Sequence, residues 1–156
     1  MKKRYIFMAG MGLFLGGFYL GGKMLVSMIN DYRERMKRNL SNMMLFHDWL
    51  AYLYAGGRIE RYFVDHGYKK IMIYGNGYIG QRLMQALEGT GIEVVAVMDK
   101  AAAEAEEIVI GVDAAIPDVD CIIVTPVFFY DAIYDMLREK TDIPIISMQS
   151  VIEENG

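Results

Sequence analysis

The chain has one cysteine, Cys121, and two histidines, His47 and His66. A lone cysteine excludes an internal disulfide framework and any Cys-x-x-Cys metal or redox motif. It falls in an apolar run, so a packed, inert thiol is the reading it supports. Two histidines without a nearby cysteine or carboxylate pattern read as structural or exposed rather than as metal ligands. No nucleophile elbow is present, no Tyr-x-x-x-Lys pair lies in a helix of the second half, and no histidine follows residue 66. At 156 residues there is room for one ordinary domain and an appendage.

What is abundant is apolar: 54% of residues, with a mean hydropathy of +0.19. The net charge of −4 hides a split. Residues 1–70 hold twelve Lys/Arg and five Asp/Glu; residues 71–156 hold four and fifteen. A basic first part beside an apolar run suits an anionic membrane surface. An acidic second part argues against nucleic acid as its partner.

After Lys2-Lys3-Arg4, no charge occurs from Tyr5 to Gly22. Those eighteen residues sit at the lower edge of a spanning helix, and a snorkelling Lys23 extends the stretch to Ile29. A cleaved signal peptide shares the basic tip and apolar core, but no A-x-A-like site follows, so residues 1–29 read as a retained single-pass anchor in the cell membrane. Three basic residues precede the span and five follow it, a thin margin for orientation. Nucleotide cofactors are cytoplasmic, which places the C-terminal part inside. Gly12/Gly16 and Gly17/Gly21 form small-xxx-small steps that allow close helix approach, pointing to a parallel homodimer.

Residues 30–67 read as helical linker. Met36, Leu40, Met43, Met44 and Leu50 recur at helical spacing over 30–54 and predict an apolar stripe, free to extend the dimer contact or to fold back on the domain. Gly56-Gly57 breaks the helix, and Ile59, Tyr62 and Phe63 mark a shorter one ending at His66-Gly67.

Residues 68–156 are organised by Ile71-Met-Ile-Tyr-Gly-Asn-Gly-Tyr-Ile-Gly80. Four strand-prone residues run into Gly75-x-Gly77-x-x-Gly80, and Ile79, Leu83 and Leu87 continue at helical spacing. This strand–glycine turn–helix pattern belongs to dinucleotide-binding folds. Gly75 permits the turn, Gly77 keeps a pyrophosphate's path clear, and Gly80 lets helix and sheet approach. Asn76, Tyr78 and Ile79 complete the loop, and the helix start offers N–H groups to an anion. Further strands are expected at 93–98, 108–110, 121–125 and 144–147, and helices near 128–138 and 150–154, with a helical turn at 113–116. Alternating strands and helices predict an α/β fold with a small doubly wound parallel sheet of order 3-2-1-4-5.

Asp99 ends the second strand, nineteen residues after Gly80. A carboxylate there accepts hydrogen bonds from ribose hydroxyls and repels a 2′-phosphate, favouring NAD over NADP; Lys100 beside it softens that preference. Thr125-Pro126 ends the fourth strand on the same edge and either lines the cleft or merely stops the strand. The residues beyond Tyr68, 69–156, are too few for a second nucleotide-binding half and a substrate domain.

Residues 73–80, 97–100, 120–126 and 144–147 resemble the compact NAD(P)-binding Rossmann modules of bacterial capsule and exopolysaccharide biosynthesis proteins. The overall layout is similar to small membrane-anchored Gram-positive proteins. The resemblance implies the fold and a dinucleotide or nucleotide-sugar ligand, and carries over no catalytic activity. The expected function is a membrane-anchored nucleotide-binding module, not catalytic alone, serving envelope polysaccharide synthesis beside a glycosyltransferase or sugar-modifying enzyme. The alternatives are a subunit of an oxidoreductase or sugar-modifying enzyme completed in trans, and a degenerate Rossmann module that binds protein.

Overall fold

A computed structural model of the chain describes residues 2–101 and 108–154, with side chains from residue 21 onward. Two compact units divide at residues 39 and 40. Helix α1 runs over Lys2–Tyr54. Among the described residues no helix is long and apolar enough to cross a membrane. The expected span lies mostly before residue 21, and so do Gly12, Gly16 and Gly17 of the small-xxx-small steps, outside the residues whose side chains are described.

The second unit is α/β. After α2 (Glu60–Asp65) come β1 (Lys70–Tyr74), α3 (Tyr78–Leu87), β2 (Glu93–Asp99), β3 (Val109–Gly111) and β4 (Cys121–Val124). A single 3-10 turn (Val127–Phe129) leads into α4 (Tyr130–Arg138), then β5 (Ile145–Ser147) and α5 (Met148–Glu153). All four strand pairings are parallel and the order is β3-β2-β1-β4-β5, compatible with a Rossmann-type fold. Parallel strands buried on both faces read as continuous apolar runs, which is why Ile71–Tyr74 and Cys121–Val124 are almost wholly apolar. The expected helical turn at 113–116 is instead a turn closed by Ala114 N–H on Gly111 O at 3.0 Å. Most of the segment 101–107 lies outside the described residues.

The sheet faces are covered unequally. Ile71, Ile73, Val97, Cys121 and Ile123 pack under Leu45, Trp49 and Tyr52 of α1, Phe63 of α2, Leu83 and Leu87 of α3, and Val151 and Ile152 of α5. The opposite face, with Met72, Met98, Ile122 and Val124, meets Ile133 and Leu137 of α4 as the only buried helix side chains among the described residues.

The compact unit that holds the sheet begins at Leu40, and the end of α1 supplies three of its core side chains. The buried stripe of that helix is Leu45, Trp49 and Tyr52, whereas Leu40, Met43, Met44 and Leu50 are exposed. Both sets recur at helical spacing; the one with Trp and Tyr removes the larger apolar area from water.

Candidate functional site

The carboxyl edge of the sheet holds the glycine turn, between β1 and β4, where the helices that follow the two strands lie on opposite faces. In open α/β sheets this switch point forms a crevice. Gly75 has φ +104°, a conformation open to glycine, and its N–H donates to Met98 O at 2.8 Å. A methyl at Gly75 would lie 2.7 Å from Thr125 Oγ1 and 2.9 Å from the Pro126 ring. A methyl at Gly80 would fall on the Gly75 carbonyl oxygen. The turn and the first coil of α3 are thus in backbone contact, and both glycines are required by packing.

Gly77 differs. Its φ of −78° and ψ of −173° are extended backbone that any residue adopts. It is exposed, and nothing lies within 4 Å of where a methyl would stand. It caps α3 with no side-chain hydrogen bond. Helix geometry leaves the N–H groups of Tyr78, Ile79 and Gly80 without intrahelical acceptors, beside the positive end of the helix dipole. Ile79 is buried in the core, so it reaches this edge by its backbone.

Asp99 stands against the turn. Its Oδ2 accepts the Asn76 N–H at 2.6 Å and its Oδ1 accepts the Ala101 N–H at 2.8 Å. A carboxylate oxygen has two lone pairs, so each keeps acceptor capacity. Lys100 is exposed in the turn beyond. Thr125 is buried, and its hydroxyl lies 3.0 Å from Tyr74 O and 3.2 Å from Gly75 O, donating toward these carbonyls. Through these bonds the hydroxyl braces the glycine turn. Pro126 presses on the same glycine.

Several participants were missed in the sequence. The Arg82 guanidinium lies 5.2 Å from the centre of the exposed Tyr78 ring, whose other neighbour is Phe46 of α1, edge-on at 5.7 Å. The i, i+4 spacing of Tyr78 and Arg82 was the available signal. The Tyr74 hydroxyl is buried without a hydrogen-bond partner, and burial, then the Asp99 charge, raises its pKa. A cleft of about 440 Å³ lies beyond the ends of β4 and β5, lined by Ser41, Phe128, Asp131, Ser147, Gln149 and Ser150 among others.

Elsewhere, His66 stacks on Tyr62 at 4.3 Å and on Tyr68 at 5.6 Å, with Nδ1 2.8 Å from Tyr62 O. His47 is exposed. Among the described residues no three metal-ligating side chains gather. Burial pushes the Cys121 thiol up to about 12, so it is not a nucleophile at neutral pH. The assembled edge can hold an anion on backbone N–H groups and hydroxyls on a carboxylate. Compared with protein-family models, curated proteins and solved structures, the chain matches none.

Proposed function

We propose that the chain is a nucleotide-binding module that takes a diphosphate-bearing ligand, NAD-like or a nucleotide-sugar, on the turn from Gly75 to Gly80. The observation that carries this is Gly77: packing accounts for Gly75 and Gly80, but asks nothing of Gly77. A glycine with open space above it, at an uncapped helix start, suits the close approach of a phosphate. Asp99 would take ribose hydroxyls on its remaining lone pairs, and its charge favours NAD over NADP. Lys100 and Arg82 are the nearby cations. The module is proposed to be non-catalytic alone, held at the cytoplasmic face of the cell membrane by residues 1–29. There it would present its ligand to a glycosyltransferase or sugar-modifying enzyme of envelope polysaccharide synthesis, a context drawn from the resemblance of residues 68–152.

A second reading is a protein-interaction module whose turn is purely structural. It is favoured by the engagement of Asp99 and Thr125 with the turn itself. Titration of the full chain in detergent with NAD(H), NADP(H) and UDP-sugars, beside Gly77→Ala, separates the two. The ligand reading expects saturable binding that weakens at least about tenfold in Gly77→Ala, while stability changes by less than about 1 kcal/mol because the backbone there suits alanine. No binding at millimolar ligand would sink it, and so would binding that Gly77→Ala leaves intact.

A further inference from the structure

The cleft of about 440 Å³ beyond β4 and β5 belongs wholly to the unit that begins at Leu40, and the glycine turn makes no use of it. Its origin is topological. The chain leaving β4 enters α4, whose Ile133 and Leu137 pack on one face of the sheet. The chain leaving β5 enters α5, whose Val151 and Ile152 pack on the other. Neighbouring parallel strands whose helices part to opposite faces leave space at their carboxyl ends, where ligands of such sheets bind.

The wall of the cleft is built from hydrogen-bonding groups. Ser41 of α1, Asp131 of α4, Ser147 at the end of β5, and Gln149 and Ser150 of α5 line it, with the ring of Phe128 beside them. Ser147 is buried, and its Oγ accepts the Gln149 N–H at 3.2 Å, which leaves its own O–H to donate. The Gln149 amide nitrogen is held by Glu153 Oε1 at 2.7 Å and Asp48 Oδ2 at 3.4 Å, so its carbonyl oxygen is the atom it has to offer. The Asp131 carboxylate accepts only. Alcohol groups, which both donate and accept, match such a wall. An anion does not: Asp131 is the one charge on the lining, and among the described residues no Lys or Arg lines it. The Phe128 ring adds an apolar surface suited to the C–H face of a sugar ring.

The cleft adjoins the turn. Pro126, whose ring would stand 2.9 Å from a methyl at Gly75, is followed directly by Val127 and Phe128 of the cleft wall. Tyr74, Val124 and Ser147 lie in register across β1, β4 and β5. The cleft therefore starts two strand spacings, about 10 Å, from the strand that carries the turn.

We infer that the cleft receives an uncharged sugar carried on the diphosphate, so that the nucleotide-sugar rather than NAD is the ligand of this chain. The inference rests on the reading of the turn as the diphosphate site. A flat nicotinamide ring offers one amide to a wall of five polar side chains, whereas a hexose offers a hydroxyl to most of them.

The test titrates the full chain in detergent, wild type and Asp131→Asn, with UDP, UDP-glucose, UDP-galactose, UDP-glucuronate and NAD. At least one of the two neutral UDP-sugars should bind at least about tenfold tighter than UDP, because the cleft pairs its hydroxyls. UDP-glucuronate sets a carboxylate against Asp131 and should gain nothing over UDP. Asp131 is exposed, and the Asn variant is checked for unchanged circular dichroism. In it the advantage of the neutral sugar over UDP should shrink to under about threefold, and UDP-glucuronate should bind as well as the neutral sugar. Binding of UDP with no gain from either neutral sugar overturns the inference and leaves the turn standing as a diphosphate site. So does NAD bound more tightly than every UDP-sugar, and so does a sugar advantage that Asp131→Asn leaves intact. No binding of UDP or NAD at millimolar concentration removes the reading of the turn and this inference with it.

Discussion

The central strand β1 is held by a carboxylate at each end, and the two ends are built differently. At its start, Asp120 Oδ2 accepts the N–H groups of Lys69 and Lys70 at 2.6 and 2.8 Å. At its finish, Asp99 accepts one N–H from the glycine turn and one from beyond β2. At the first end one oxygen gathers two backbone donors and joins β1 to the entry of β4. At the second the two oxygens are split between two segments, beside the open space at Gly77 and the first N–H groups of α3. The same chemistry closes one edge of the sheet and leaves open space at the other.

Gly80→Ala should break the carboxyl end most severely. The added methyl meets a backbone oxygen, which cannot swing away as a side chain would, so the expected loss is about 3 kcal/mol. Urea unfolding measures it; a loss under about 1 kcal/mol would show that the turn gives way. Asp99→Ala should cost less, about 2 kcal/mol, by leaving the half-buried Asn76 N–H without its charged acceptor. Hydrogen exchange at Asn76 checks this, with faster exchange expected there and little change at Lys70.

The smallest effect belongs to the exposed end and depends on pH. The N–H groups of Lys70 and then Lys69 lower the Asp120 pKa from 3.8. A depressed carboxylate stabilises the fold fully above its unfolded pKa and loses that contribution as pH falls through the folded value. Thermal melts of Asp120→Ala should therefore lie below wild type at about pH 6 and converge with it only as pH falls through the lowered value, below 3.8. A gap that persists unchanged into acid would mean the charge is not what ties Asp120 to the strand.

Strands, their order and the glycine turn were legible because their signals are local: short apolar runs and fixed glycine spacing. The orientation of α1 was not. Its stripes through Leu40 and Met43 and through Leu45 and Trp49 are both apolar at helical steps, and the docking surface decides between them. Asp99 and Thr125 were legible as neighbours of the turn, but not as its braces, because those bonds join residues 23 to 51 positions apart. The cleft beyond β4 and β5 joins Ser41 to Ser150 and leaves no trace in any short window.

The sharing of one core by Leu45, Trp49 and Tyr52 with Met148, Val151 and Ile152 bears on biosynthesis. The two groups leave the ribosome about a hundred residues apart, roughly 5–20 s at ordinary elongation rates. During that interval the indole of Trp49 has no sheet to rest on, since β4 and β5 are still unmade. Folding of this unit is therefore tied to late translation, and nascent chains halted before residue 121 present an uncovered aromatic face to whatever chaperone or membrane surface is nearest.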